Sequence, residues 1–212
     1  MNDTIKSMKL DFLLLKPYLK SLFLVLLVPI LFPLFTGTLF EGLSFSATVL
    51  AMTTGYTFSI VEKNSMERLY GFLPAKKKAM VQGRYLFVFL TGFTSLAVTM
   101  LAQILILNAI HSAPGRRETG SAFLVCATLF CIYACVQIPG YYRYGAIKGR
   151  IFMFIPTVGY LIFYFVVRKL SAGAGIRIFS YPFFPYFIVL GILVLAVVSL
   201  NASGRIVEKS SL

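Results

Sequence analysis

The chain has 212 residues, 58% of them hydrophobic and only 13% charged, with a mean hydropathy of +0.85. A soluble domain carries about 25% charged residues, so a soluble globular fold is excluded, and with it a soluble enzyme, a disordered chain and a disulfide framework. Twenty Lys and Arg stand against seven Asp and Glu, but they cluster between long uncharged runs, as anchors on an anionic leaflet do and a nucleic-acid-binding face does not.

In residues 1–17 and just beyond, Ile5, Met8, Phe12, Leu15 and Leu19 form one helical stripe, and Lys6, Lys9, Lys16 and Lys20 form another. That pattern predicts an elbow helix lying in the membrane plane, with its lysines toward lipid phosphates. Pro17 suits the first turn of the helix that follows. No small-residue cleavage site fits, so the segment does not read as a signal peptide.

Six charge-free runs come next: Ser21–Phe40, Gly42–Val61, Tyr85–His111, Thr119–Tyr142, Ile151–Val167 and Ile178–Gly204. A spanning helix needs about 20 largely apolar residues, so each run predicts one span. The expected fold is an all-α polytopic membrane protein, a single transmembrane domain over residues 1–212. The runs are continuously apolar and not alternating, which excludes a β-barrel. Ile151–Val167 is the shortest and crosses if Arg150 and Arg168 snorkel. Pro29 and Pro33 predict a kink in the first span.

Counting Lys and Arg loop by loop places fifteen on one side and five on the other, so both termini are expected in the cytoplasm of a multi-pass plasma-membrane protein. Lys76, Lys77, Lys78 and Arg84 join the four N-terminal lysines as inner-leaflet anchors. Arg168, Lys169 and Arg177 run against this trend.

The spans carry no ionisable residue at mid-depth, which argues against an ion-coupled transporter. Gln103 and Gln137 read as interhelical hydrogen-bonding residues. His111 reads as an exposed loop residue, and Cys126, Cys131 and Cys135 as small buried hydrophobes. Nothing here builds a catalytic or metal site, and no phosphate-cradling G-x-x-x-x-G-K-[ST] occurs. The chain is therefore expected to be non-catalytic and to hold no cofactor of its own.

Two loops carry more information. In residues 62–84, Asn64 followed by Glu67 resembles a helix N-terminal cap, and Met66, Leu69, Tyr70 and Leu73 fall on one stripe of a short helix that Pro74 ends. Such a helix lies on the bilayer or presses into a groove of a partner. In residues 140–150, Tyr141, Tyr142 and Tyr144 suit the headgroup belt, and Arg143, Lys148 and Arg150 the inner leaflet.

At these loops the sequence resembles a family. Phe58–Phe87, with Glu62-Lys63, Leu73-Pro74, Lys76–Lys78 and Gly83-Arg84-Tyr85, is similar to the segment after the second span in small six-helix permeases of type-2 ABC exporters from Firmicutes. Tyr141–Ile151, with Gly145, Lys148, Gly149 and Arg150, is similar to their second cytoplasmic loop. Within that family the likeness is to permeases of staphylococcal phenol-soluble-modulin exporters, which handle amphipathic peptide toxins.

The resemblance implies a coupling helix seated on a separate ATPase and carrying Glu62, Asn64, Met66, Glu67, Arg68, Leu69, Tyr70, Leu73 and Pro74. It implies a second cytoplasmic contact at Tyr142, Arg143, Gly145, Lys148 and Arg150. Two permease copies, as a homodimer, and two ATPases binding ATP and Mg would form the transporter. The outer loop at 168–183 is compatible with re-entrant helices. A membrane substrate-binding subunit of a vitamin-type importer is the alternative, disfavoured by the lack of a polar ligand pocket; an intramembrane enzyme would need His, Asp or Glu clusters at depth.

Overall fold

A computed structural model of the chain describes residues 3–64, 77–159 and 184–209, and its regular elements are all helices. Helix α1 (Asp3–Leu15) passes through a 3-10 turn (Lys16–Tyr18) into α2 (Leu19–Leu31) and the single turn α3 (Pro33–Thr36). Then come α4 (Leu39–Lys63), α5 (Lys77–Ala109) and α6 (Arg116–Lys148), followed by a second 3-10 turn (Gly149–Met153), helical residues 154–159 and α7 (Phe184–Lys209).

Among the described residues, four segments are long and apolar enough to cross a membrane: Asp3–Thr36, Lys77–Ala109, Arg116–Gly159 and Val189–Lys209. The six expected spans thus do not appear as six separate apolar helices among the described residues. The second run falls in α4, which has 25 residues but is interrupted by Ser, Thr and Gly. The fifth starts within 151–159, and its remainder lies outside the described residues, as does the outer loop at 168–183.

The composition of α4 follows from its position. It packs against α2, α5 and α6, and Leu39, Leu43, Ser46 and Ala47 have no exposure at all. A helix enclosed by other helices gains more from close approach than from apolar bulk. Its hydroxyls are satisfied along its own backbone: Ser46 donates to the Gly42 carbonyl at 2.9 Å, Thr57 to Thr54 at 2.7 Å and Ser59 to Gly55 at 3.0 Å. By contrast α7 exposes Leu190, Leu193, Val194 and Val197.

Helix α6 conceals a reversal. Gly145 has φ +77° and ψ 177°, a conformation essentially restricted to glycine. Tyr133 Oη lies 2.8 Å from Thr157 Oγ1, although a straight helix would separate those residues by about 36 Å. Phe152 lies against Gly140, and Tyr141 against Gly149. The chain therefore turns back on itself at Gly145, and the 44 residues of Arg116–Gly159 hold one long apolar helix and a short helical run that returns along it.

Prolines and a glutamine join the first span to its neighbours. Pro33 has no N–H to offer the carbonyl of Pro29 four residues back. That carbonyl receives the Phe32 N–H at 3.3 Å and the Gln103 Nε2 at 2.8 Å. Gln103 Nε2 also reaches Ser46 Oγ at 3.0 Å, so one amide ties α2, α4 and α5 together. Gln137 differs from expectation: its amide is fully buried, and it makes no hydrogen bond among the described residues. His111 ends α5 in a left-handed conformation, φ 59°.

The N-terminal helix is bound to the bundle through its polar side. Thr4, Ser7 and Asp11 lie one turn apart and face α5. Ser7 Oγ donates to the Met80 carbonyl at 3.4 Å, and a Cβ at Gly83 would stand 2.7 Å from that of Ser7. Asp11 is 2% exposed and accepts two hydrogen bonds from Arg84, Nε at 3.2 Å and Nη2 at 3.1 Å. The expected apolar stripe is divided by this contact: Leu15 is buried and Met8 half-buried, while Ile5, Phe12 and Leu19 are exposed. Arg84 corrects the sequence reading, because it is buried beneath the N-terminal helix and is no exposed anchor.

Two stability outcomes follow. Arg84→Met strands a buried carboxylate and should cost about 3–5 kcal/mol, whereas Asp11→Leu with Arg84→Met should melt well above that single variant. A double variant melting no higher, in detergent, would mean the pair carries no coupling. Gly145→Ala should lower stability by about 1–3 kcal/mol; an unchanged melting curve would contradict the reversal.

Candidate functional site

The basic end of the bundle brings together Glu62 and Arg84, at the ends of the first loop that the sequence singled out, with the 140–150 segment. Glu62, in the last turn of α4, directs Oε2 at the backbone N–H of Ala146, 2.7 Å away. Ala146 is the first residue after the Gly145 reversal, where a new helical run begins with unsatisfied N–H groups. The Glu62 carboxylate thus caps a helix start from a different element, favoured also by the positive end of the helix dipole. A Cβ at Gly145 would lie 3.4 Å from that carboxylate.

Asn64 lies at the other side of this junction. Its Nδ2 donates to the Ile60 carbonyl at 2.9 Å, and its backbone N–H reaches the same oxygen at 3.1 Å. The side chain therefore closes α4, whereas the sequence suggested a cap on a helix to follow. Met66, Glu67, Arg68, Leu69, Tyr70, Leu73, Pro74 and Lys76 lie outside the described residues.

An aromatic cluster supports the junction from inside. Phe58 stacks on Tyr141 with centroids 4.8 Å apart and meets the edge of Tyr142 at 5.2 Å. The Arg84 guanidinium, already held by Asp11, stands 4.8 Å above the Phe58 ring and 5.8 Å from that of Tyr142. One cationic head consequently touches residues of α1, α4 and α6 from its place on α5. Further out, Tyr85 Oη meets Ser199 Oγ at 2.6 Å and Ser203 Oγ at 2.9 Å, and Ser199 donates to the Cys135 carbonyl, which joins α5, α6 and α7.

The other predicted contact residues divide clearly. Arg143, Lys148 and Arg150 are exposed; Arg143 lies over the Tyr144 ring at 5.3 Å, and Arg150 reaches Ser59 at 3.4 Å. Tyr142 is turned inward to the cluster. Lys6, Lys9, Lys16, Lys20, Lys77 and Lys78 are exposed, with Lys78 paired to Glu208 at 3.2 Å. Sequence reading missed Asp11, Phe58 and the role of Tyr141. A signal for Asp11 was present, since Thr4, Ser7 and Asp11 form a third, polar stripe among the lysines.

The arrangement offers a mechanical connection: the end of α4, the base of α5, the reversal after α6 and the N-terminal helix are joined by one hydrogen-bonded carboxylate and one buried guanidinium. Such a connection holds the start of the run after Gly145 to the end of α4.

A family model for ABC-2 family transporter protein matches residues 8–208. No curated protein and no solved structure matches the chain. The match takes in the N-terminal helix from Met8, both loops of the junction and nearly all of α7, and the four apolar helical segments accord with it. The chain belongs to the ABC-2 transporter family, as an integral membrane permease subunit of an ABC transporter, a class that works with an ABC ATPase.

Proposed function

We propose that this permease works as an exporter, with two copies of the chain enclosing the path and two copies of a separate ATPase supplying ATP binding and hydrolysis. In this reading the chain has six spans and both termini in the cytoplasm, where fifteen of its twenty Lys and Arg would lie. Helix α1 is an interfacial elbow: its exposed Ile5, Phe12 and Leu13 enter the lipid, while its lysines meet phosphate groups.

The observation that carries the reading is the Glu62–Ala146 hydrogen bond. The segment from Asn64 to Leu73 begins directly after Glu62, and its stripe of Met66, Leu69, Tyr70 and Leu73 suits a groove on the ATPase. When ATP draws the two ATPases together, a displacement of this segment pulls on the end of α4. Through Glu62 it then acts on the start of the fifth span, so the second and fifth spans move as a unit. Arg143, Lys148 and Arg150 provide the second contact with the ATPase or the inner leaflet.

The cargo we infer is an amphipathic peptide. The spans offer Phe, Leu, Met and hydroxyl-bearing Thr and Ser but no charge at mid-depth, which suits neither ions nor sugars. A shallow crevice between α4 and α5, lined by Thr53, Thr57, Thr91 and Ser95 beside Leu50 and Phe87, has that mixed character.

Two experiments bear on this. Met66→Asp with Leu69→Asp should abolish co-purification of the ATPase and its stimulated hydrolysis, leaving the permease folded; retained association would remove the coupling helix from the reading. Glu62→Ala should keep the ATPase bound but lower transport-stimulated hydrolysis roughly tenfold, as loss of one hydrogen bond to a charged group predicts, with Glu62→Gln recovering most of it. Equal activity in all three proteins would mean that Glu62 transmits nothing.

A further inference from the structure

A cavity of about 360 Å³ opens between α5 and α7 at the basic end of the bundle, and neither Glu62 nor Ala146 lines it. Its polar lining consists of Lys78 and Gln82 from α5 and Asn201, Arg205 and Glu208 from α7, with Gly204 leaving room at its back. Lys78 and Glu208 form an exposed pair at 3.2 Å across it. A Cβ built at Gly204 would meet no atom within 4 Å, so the space beside it is open.

Along α7 the same face continues toward the membrane interior. Leu190, Leu193, Val197, Asn201, Gly204 and Glu208 succeed one another at steps of three or four residues, which is one helical stripe. Leu190, Leu193 and Val197 are each about 60% exposed. From Leu190 to Asn201 the helix rises roughly 16 Å, close to half the hydrocarbon thickness of a bilayer, about 15 Å. An apolar track of one leaflet's depth therefore ends in a polar cavity, and the order matches a phospholipid from acyl chain to headgroup.

We propose that this cavity binds the headgroup of an anionic glycerophospholipid of the inner leaflet, with an acyl chain against Leu190, Leu193 and Val197. Two cations and one carboxylate leave the lining with one net positive charge. The Arg205 fork fits a phosphodiester oxygen pair, the Gln82 and Asn201 amides donate to further oxygens, and Glu208 accepts from a headgroup hydroxyl. A glycerol headgroup satisfies all of these; a choline headgroup brings a cation of its own to a lining that already has two, and no hydroxyl. The site would hold α5 and α7 together where the chain enters the membrane. The inference rests on the proposed cytoplasmic placement of this end, and its test uses the permease without ATPase, so its failure would leave the coupling reading untouched.

The test is lipid retention by the delipidated full-length chain, titrated in detergent with phosphatidylglycerol or phosphatidylcholine and followed by native mass spectrometry. One phosphatidylglycerol per chain should bind in preference to phosphatidylcholine. Arg205→Gln should weaken it about fivefold, the worth of one interfacial basic residue. Gly204→Leu fills the cavity without changing charge and should also release the lipid; Arg205→Gln serves as the reading should the leucine disturb folding. Equal binding of the two lipids would overturn the proposal, and so would undiminished retention by a folded Gly204→Leu, which would mean diffuse attraction. Displacement by inorganic phosphate would overturn it too, as the cavity would then take a soluble anion.

Discussion

The guanidinium of Arg84 is the point on which the basic end of this permease depends. It comes from the first turns of α5, and a charge buried there requires a partner and surroundings that replace water. Asp11 supplies the first through two hydrogen bonds, and the faces of Phe58 and Tyr142 supply the second. Because these groups belong to α1, α4 and α6, satisfying one cation fixes the N-terminal helix and the end of α4 together. The cost of burying the pair is accepted in exchange for a single arrangement of four elements.

The remaining architecture follows from the rule that polar backbone and side-chain groups within a bilayer must find partners inside the protein. Helix α4 satisfies it with hydroxyls bonded to its own carbonyls, which frees its small residues for close packing. The first span satisfies it at Pro33 by recruiting Gln103 from α5 to the orphaned carbonyl of Pro29. At the reversal, the N–H of Ala146 finds the Glu62 carboxylate. In each case a local irregularity is matched by a side chain from a distant part of the sequence, and the match also sets the packing.

For a transporter this has a mechanical meaning. A loop that only anchors the chain in headgroups transmits little, since lipid yields. At the Glu62 junction the end of α4 instead hydrogen-bonds the start of the run after Gly145 and rests on stacked Phe58 and Tyr141, the path that the proposed coupling would use. The exposed Arg143, Lys148 and Arg150 then surround the junction without being needed to hold it together.

The sequence alone determined the solvent of each segment. Low charge and long apolar runs require a membrane, because no soluble fold hides so much Leu, Phe and Val, and clustered Lys and Arg mark one end of the bundle. The two loops at residues 62–84 and 140–150 were also legible as the informative regions, through their spacing and their resemblance to the family. The run Gly42–Val61 was legible as charge-free, but α4 is less apolar than the four other segments, because a helix packed along most of its surface against other helices needs less apolar bulk. Nor did the pattern distinguish Arg84 from the neighbouring lysines: a basic residue beside a span looks the same whether it reaches lipid or a carboxylate 73 positions away. Only the tertiary structure paired Arg84 with Asp11, turned the chain at Gly145 and brought Glu62 to Ala146. Partner choice depends on which surfaces meet after the helices pack, and that is a property of the assembled bundle and not of any single stretch of chain.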